Sequence, residues 1–371
     1  MDRRDERPVA AIFRSALFNP SETFVQAHAA GLVRYRPLVV GLEDKGNAWP
    51  ALRDARLVAS RGERLRLRLL GDADGLAARV RAHRPSLVHA HFATDGLLAL
   101  PLAERLGVPL VTTLHGFDVS RSSAALLRSG RLSWMRHAAL GGRLRARGRL
   151  FLAVSDAIRA KALARGFPPE RTMTLHNGVD LARFAAPPAP EPGLVLHVGR
   201  LVEKKGTALL IDALAAVPGA RLVVLGDGPL RTRLERRAER LGGRATFLGA
   251  VPPDEVGAWM RRAWLLAVPS VTAADGDSEG LPTVAVEAAA AGLPAVVSAH
   301  SGLPEAVVDG ETGLVVPEGD AAALAAALAG LLGSADLQAR MGGAARRLAA
   351  ERFDLRRQIA RLEAIYDGLA G

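Results

Sequence analysis

Glu279 and Glu287 bracket the segment Glu279-Gly280-Leu281-Pro282-Thr283-Val284-Ala285-Val286-Glu287, which follows the apolar run Leu265–Ser270. A helix starting near Pro282 puts Glu279 just before its first turn and Glu287 about two turns in. The first N–H groups of a helix lack intrahelical acceptors, so those around Thr283 and Val284 are free to hold an anion between the two carboxylates. A ligand with hydroxyls at both ends and phosphate in the middle suits that layout, as a nucleoside-diphosphate sugar does. The plainer reading makes Glu279 a capping group that favours the helix dipole and Glu287 an ordinary helix residue.

A second loop, Gly199-Arg200-Leu201-Val202-Glu203-Lys204-Lys205-Gly206, joins the apolar run Leu194–Val198 to a helical stretch. Its glycine turn lets backbone approach a phosphate, and the helix end supplies N–H donors. Arg200 and Lys205 add two cations, one able to chelate phosphate and the other a point charge. The Walker spacing GxxxxGK[ST] is absent, and a solvated turn with two surface cations remains the alternative. A third loop, Gly226-Asp227-Gly228-Pro229, is equally well explained as a tight strand-to-helix turn with Asp227 as N-cap.

In the first half of the chain, His89-Ala90-His91-Phe92 ends one apolar run and Thr113-Leu114-His115-Gly116 ends the next. His91 and His115 are expected to face the ligand, His115 hydrogen-bonding a sugar hydroxyl, while His89 takes a structural hydrogen bond. No metal is expected, because no paired carboxylate accompanies the histidines. Asp72-Ala73-Asp74 is accounted for by helix capping, and Asp275-Gly276-Asp277 stays open as a metal-holding alternative.

These residues need elements to hold them. Candidate strands are Val9–Phe13, Pro37–Gly41, Leu87–Phe92, Pro109–Leu114 and Leu150–Val154. They resume at Leu194–Val198, Arg221–Leu225, Ala245–Leu248, Leu265–Val268, Ala295–Ser298 and Gly313–Val316. Helical patterns such as Gly96–Leu106, Gly206–Val217, Leu230–Leu241 and Pro282–Ala291 separate them. Continuous apolar strands alternating with helices predict an α/β fold of doubly wound parallel sheets, with ligands at the carboxyl ends of the strands. With 371 residues the chain exceeds one core, and Ala185–Gly193 carries four prolines. The expected division is residues 1–184, a linker 185–193, residues 194–353, and an amphipathic helix at 354–371 able to cross back to the first domain. A cleft is expected between the two domains.

The net charge of +11 is unevenly spread: 30 Lys+Arg against 16 Asp+Glu before residue 185, and 19 against 22 after it. Between Val119 and Ser155 stand eight arginines and no acid. Arg128–Arg149 interleaves cations with Leu132, Trp134, Met135, Leu140 and Leu144, a pattern that suits a helix on an anionic membrane surface; a solvated face is the alternative. Nucleic acid is not expected as a partner, since aromatics total 4% and no helix-turn-helix, RRM or zinc spacing occurs. The composition, 49% hydrophobic and 23% charged, is that of a globular chain. The absence of cysteine and an amino-terminal MDRRDERP without an apolar core favour the cytoplasm, and no apolar run reaches the length of a membrane span.

Together, the three loops and His115-Gly116 resemble retaining family 4 glycosyltransferases of the GT-B fold, over nearly the whole chain. His176–Asp180 is a supporting feature, and Pro20-Ser21-Glu22-Thr23-Phe24, His89-Ala90-His91-Phe92 and the run ADGDSEGLPT (274–283) are similar to the exopolysaccharide branch with its colanic-acid and amylovoran enzymes. The resemblance implies two Rossmann-like domains, the first binding acceptor and the second binding a UDP- or GDP-linked sugar. It implies that Arg200 and Lys205 hold the diphosphate, Glu279 the sugar hydroxyls and Glu287 the ribose. By the same resemblance Gly199, Gly226, Gly280, Leu281, Thr283 and Val284 would line the donor and His115 the sugar. Ser21, Glu22, Thr23 and His91 would meet a glycan or lipid-linked acceptor. The usual glycine-rich first loop reads NPSETF here, and the usual EGFG reads Glu279-Gly280-Leu281-Pro282. Hexosyl transfer with retention and without a metal cofactor follows from the resemblance. A nucleotide-sugar epimerase on the same architecture is the alternative.

Overall fold

The computed structural model describes residues 5–19, 22–186 and 189–370. The chain forms two compact units, Met1–Asn177 with Leu355–Gly371, and Gly178–Asp354.

The first unit holds β1 (Val9–Leu17), β2 (Arg36–Asp44), β3 (Arg56–Val58), β4 (Pro85–His91), β5 (Leu110–Leu114), β6 (Leu150–Ala153) and β7 (Thr172–Thr174). All neighbours are parallel, in the order β3-β2-β1-β4-β5-β6-β7. Every residue of β5 is buried, as an apolar strand covered on both faces must be. The helix Leu355–Ala370 belongs to this unit: Ile359, Leu362 and Tyr366 join a core with Leu17, Val39 and Leu87. Its Glu363 carboxylate accepts the N–H groups of Val33 (2.8 Å), Arg34 (2.7 Å) and Tyr35 (3.2 Å), so the charge is satisfied where it is buried.

The second unit holds β8 (Leu194–Val198), β9 (Arg221–Leu225), β10 (Ala245–Gly249), β11 (Leu265–Val268), β12 (Ala295–Ser298) and β13 (Gly313–Val316), parallel in the order β10-β9-β8-β11-β12-β13. Leu210 and Ile211 of the helix Thr207–Ala215, with Leu324 and Leu328 of the helix Ala321–Leu332, pack on Val195, Val224 and Leu265 of the sheet. Both sheets carry the doubly wound order, which reverses direction between β1 and β4 and again between β8 and β11. Ligands bind outside the strand ends at such reversals.

All eleven expected strands are present. The sheets add β3 and β7, three residues each, at opposite edges of the first sheet. The division between units falls at Asn177/Gly178 rather than in the proline-rich stretch. Phe184 of the 3-10 helix Leu181–Phe184 is buried beside Gly257. Ala189 and Glu191 donate to the carbonyls of Arg261 and Arg262 (2.9 and 2.8 Å), tying the end of the proline-rich stretch to the helix Pro253–Arg262 of the second unit. Among the described residues no single helix is long and apolar enough to cross a membrane.

Candidate active site

In the second unit, the strands at the reversal point, β8 and β11, release the loops Gly199–Gly206 and 269–282. The two loops touch backbone to backbone. Gly206 has φ 64°, and a Cβ there would stand 1.8 Å from the Pro269 carbonyl oxygen. Gly226 sits on the first loop in the same way, with the Gly199 carbonyl oxygen 2.0 Å from where a Cβ would be. Only glycine leaves room for either approach. Leu201 N–H donates to the Asp227 carbonyl at 2.9 Å, which joins all three loops into one block. Asp227 is not a helix N-cap: its carboxylate accepts the Gly228 N–H at 2.6 Å, and the following helix starts at Arg231.

The block aims side chains at one carboxylate. Glu279 is buried, with Lys205 Nζ at 3.1 Å and Lys204 Nζ at 3.8 Å from its Oε1. Burial pushes the carboxyl upward, but the two ammonium groups outweigh it and hold Glu279 below the usual carboxylate range. Its Oε1 nevertheless makes no aligned hydrogen bond among the described residues, so an acceptor stands ready for a hydroxyl. Lys204 is shared with Asp277, 3.3 Å away, and Asp277 in turn donates its N–H to Asp275. Arg200 is exposed and makes no ion pair among the described residues.

The helix Thr283–Ala291 begins immediately beyond. Its N-cap is Pro282, which offers no side-chain hydrogen bond, whereas Ser60, Ser155, Asp320 and Ser334 cap helices elsewhere. Glu279 therefore does not cap the helix, and the N–H groups of Thr283 and Val284 have no capping acceptor. Gly280 and Leu281 are buried, and the Gly280 carbonyl accepts the Gly302 N–H at 3.1 Å. Glu287 is half-buried on the same helix; burial raises its pKa and the charge of Arg183 opposes the rise. The two glutamates are thus pushed in opposite directions by their surroundings.

In the first unit, the equivalent reversal lies between β1 and β4. His91 ends β4, is fully buried, and places Nδ1 3.0 Å from Nε2 of His115, which follows β5. His115 packs against the rings of Phe24 and Phe92, at 4.6 and 4.4 Å. Burial holds both imidazoles well below their usual pKa, so both are neutral. His89 is structural: its ring bridges Tyr366 Oη (2.5 Å) and Thr113 Oγ1 (2.7 Å). The Asp118 carboxylate accepts N–H groups from Ala93 and Gly116 (both 2.8 Å) and from His115 (3.2 Å), fixing the turn that carries His115.

Glu22 makes a bidentate pair with Arg14 (2.7 and 2.8 Å), and Arg14 also pairs with buried Asp95 while lying 4.4 Å over Phe92. Thr23 opens the helix Thr23–Gly31, and Ser21 lies outside the described residues. Among the described residues no three His, Asp or Glu side chains are arranged to hold a metal ion.

The basic stretch folds into the helices Ser123–Leu127 and Leu132–Arg147. Several of its arginines have internal duties. Arg136 donates to the Arg68 carbonyl, Arg147 pairs with Glu104 at 3.0 Å, and Arg121 and Arg131 each lie 4.5 Å from the Trp134 ring. Arg128, Arg143 and Arg149 are exposed, beside exposed Leu127, Leu132 and Met135. Sequence reasoning missed Arg14, Asp95, Lys204, His300 and Glu318, each of which matters through a partner far away in the chain.

Residues 21–183 match Glycosyltransferase Family 4 and residues 179–348 match Glycosyl transferases group 1. The chain is 37% identical over 252 residues to the putative colanic acid biosynthesis glycosyltransferase WcaL of Salmonella typhimurium, covering 65% of this chain and 60% of the relative. It is 33% identical over 264 residues to the amylovoran biosynthesis glycosyltransferase AmsK of Erwinia amylovora, 68% of this chain and 63% of that protein. The aligned part thus spans somewhat less than two thirds of these relatives. A GDP-mannose-dependent phosphatidylinositol monomannoside mannosyltransferase of Mycolicibacterium smegmatis is 33% identical over 291 residues, 72% of each chain. In fold, the chain is similar to Anabaena HepE, solved with UDP and glucose, at a TM-score of 0.78, 22% identity and 98% and 100% coverage. Two Rossmann-like sheets and these neighbours make the architecture GT-B. The chain belongs to the family 4, group 1 glycosyltransferases.

Proposed function

We propose that the protein moves a sugar from a nucleoside diphosphate to a glycan or lipid-linked acceptor, with retention at the anomeric carbon, in the synthesis of an exopolysaccharide. The observation that carries this reading is Glu279, a buried carboxylate whose Oε1 is ion-paired with Lys205 but makes no aligned hydrogen bond, one turn ahead of a helix end without a side-chain cap. Lys205, exposed Arg200 and the N–H groups of Thr283 and Val284 neutralise the diphosphate. Glu279 takes the sugar hydroxyls, Glu287 the ribose, and Gly199, Gly226, Gly280 and Leu281 form the floor. UDP or GDP is the carrier, by analogy with the UDP bound to HepE and the GDP-mannose used by the mannosyltransferase relative.

The bond between the anomeric carbon and the diphosphate oxygen breaks, and the acceptor oxygen bonds to the same face. The departing diphosphate takes the acceptor proton, so no enzymic base is needed. Negative charge grows on the diphosphate as the bond lengthens, and groups already placed there lower the barrier. His115, neutral and hydrogen-bonded to His91, serves as a hydrogen-bonding partner for the sugar, and the Glu22–Thr23 end of the first unit faces the acceptor. No metal cofactor takes part.

A panel of UDP-, GDP- and ADP-sugars scored by thermal shift identifies the carrier, because a ligand that binds the native state alone raises Tm. Product NMR then reads the anomeric configuration. Steady release of nucleoside diphosphate that requires acceptor supports transfer; conversion of the donor without release would establish epimerisation instead. The exposed Arg128 and Leu127, Leu132 and Met135 support docking on an anionic cytoplasmic membrane face, where lipid-linked acceptors reside.

A further inference from the structure

Glu279 is held by its main chain as well as by its carboxylate. Its N–H donates to Nε2 of His300 at 3.2 Å, and its carbonyl accepts the Ser301 hydroxyl at 2.6 Å. Nδ1 of His300 lies 2.8 Å from one Glu318 oxygen, and the other Glu318 oxygen accepts the Thr272 N–H at 2.6 Å. A backbone N–H can only donate, so Nε2 of His300 must present its lone pair. Nδ1 then carries the proton and donates it to Glu318. The tautomer is dictated from both ends, by a peptide on one side and a carboxylate on the other.

Ser301, next along the chain, has φ 49°, in the left-handed region that residues other than glycine enter at a cost. Such a conformation persists where the surroundings over-determine it, and here the Ser301 hydroxyl is bonded to Glu279. His300 is 2% exposed, so its ring has no solvent to exchange partners with. The loop carrying Glu279 has no regular secondary structure, and two ammonium groups pull on its carboxylate. The peptide therefore needs an external hold if the carboxylate is to keep one direction.

We propose that Glu318, His300 and Ser301 are positioning residues that clamp the Glu279 peptide through the Nδ1-protonated tautomer of His300, and so aim the Glu279 carboxylate at the donor sugar. The assignment rests on the reading of Glu279 as a donor-contacting carboxylate. It adds residues that touch neither phosphate nor sugar.

The test is Glu318→Gln, a near-isosteric change. The amide has one acceptor oxygen where the carboxylate has two, so it can satisfy only one of the two donors. The Thr272 peptide cannot relocate its proton; the imidazole can. His300 then becomes protonated on Nε2 and confronts the Glu279 N–H. Two-bond proton–nitrogen correlation spectra of protein labelled with 15N-histidine read the tautomer directly, with the His300 signal assigned by its loss in His300→Asn. The nine histidines make the spectrum tractable, and the other eight signals report whether the fold is intact.

The expected result is an Nδ1-protonated His300 in the unmodified protein and an Nε2-protonated one in Glu318→Gln. With UDP-glucose or GDP-mannose, whichever the protein turns over, kcat falls about 10- to 100-fold while donor KM changes less than about twofold, as misaimed groups behave. An Nε2-protonated His300 in the unmodified protein overturns the inference without any activity measurement. So does a Glu318→Gln variant with a switched tautomer and full kcat. Full turnover in Glu279→Gln instead removes the reading of Glu279 itself, whatever the tautomer of His300.

Discussion

The two units have the same sheet order and place their candidate residues at the same topological point, yet they treat polar side chains in opposite ways. At the β1/β4 reversal, charge is consumed internally. Arg14 takes both Glu22 and Asp95, and the Asp118 carboxylate is filled by backbone N–H groups. Burial pushes the Arg14 pKa down, but its two carboxylate partners outweigh that and raise it. At the β8/β11 reversal, groups stay available: exposed Arg200, a helix end without a side-chain cap, and Glu279, whose Oε1 is ion-paired with lysine but makes no aligned hydrogen bond. One fold can thus enclose its polar groups in one unit and leave a cation and N–H groups open in the other, depending on how fully each is bonded within the chain.

Acid should expose the contrast most strongly. An unfolded histidine takes a proton near pH 6.5, while burial holds His89 to about 3 and His28 and His137 to about 4 in the first unit. Native pKa values below the unfolded one mean that stability is complete above pH 6.5 and falls as pH drops toward 4. The loss is about 1.4 kcal/mol per pH unit for each such group. Among the described residues the second unit has one such counterpart, His197, held by burial to about 4. Hydrogen exchange followed by peptide between pH 7 and 5 should show the first unit opening well before the second; parallel loss in both would break the comparison.

Next in size are Asp95→Asn and Arg14→Met. Arg14→Met leaves the buried Asp95 carboxylate without its counter-ion, at about 3–5 kcal/mol, and Asp95→Asn costs less because Glu22 still pairs with Arg14. Urea midpoints read the loss, and a shift below about 1 kcal/mol would mean the network is solvated rather than structural.

In the second unit, Lys205→Ala and Arg200→Ala should each lower kcat on the order of 100-fold or more, as the removal of transition-state donors does; Tm stays nearly unchanged in Arg200→Ala and falls in Lys205→Ala, which takes the nearer counter-ion from buried Glu279. Near-normal turnover of either variant with the true donor would sink the assignment of diphosphate binding. The smallest effect belongs to the exposed basic surface. Arg128→Glu should weaken flotation with anionic vesicles by about 1 kcal/mol or somewhat more, and equal binding to neutral vesicles would leave Arg128 a solvated residue.

Much of this was legible in the residues. Apolar strands such as Leu110–Leu114 announced themselves because both faces are covered. Arg56–Val58 and Thr172–Thr174 did not, since three-residue edge strands carry no apolar run. Gly206 and Gly226 marked their loops because only glycine permits the close backbone approaches found there. Glu22 was read as facing the acceptor, and the structure adds a bidentate bond to Arg14, a partner that no local pattern encodes. Part of the arginine stripe proved likewise to be internal, through carbonyls and rings supplied by distant segments.

The two-sheet architecture, the loops that bear chemistry and the uneven charge are all encoded locally in the residues. Each of these follows from spacing within a few residues, where periodicity and glycine chemistry operate. Only the tertiary structure decided which ions are spent and which are offered, because that depends on partners such as Asp95 for Arg14, 81 positions apart. It also decided the tautomer of His300, since a proton's place on an imidazole is set by the donor and acceptor on either side, and Thr272, Glu279 and Glu318 meet there only when the sheet is folded.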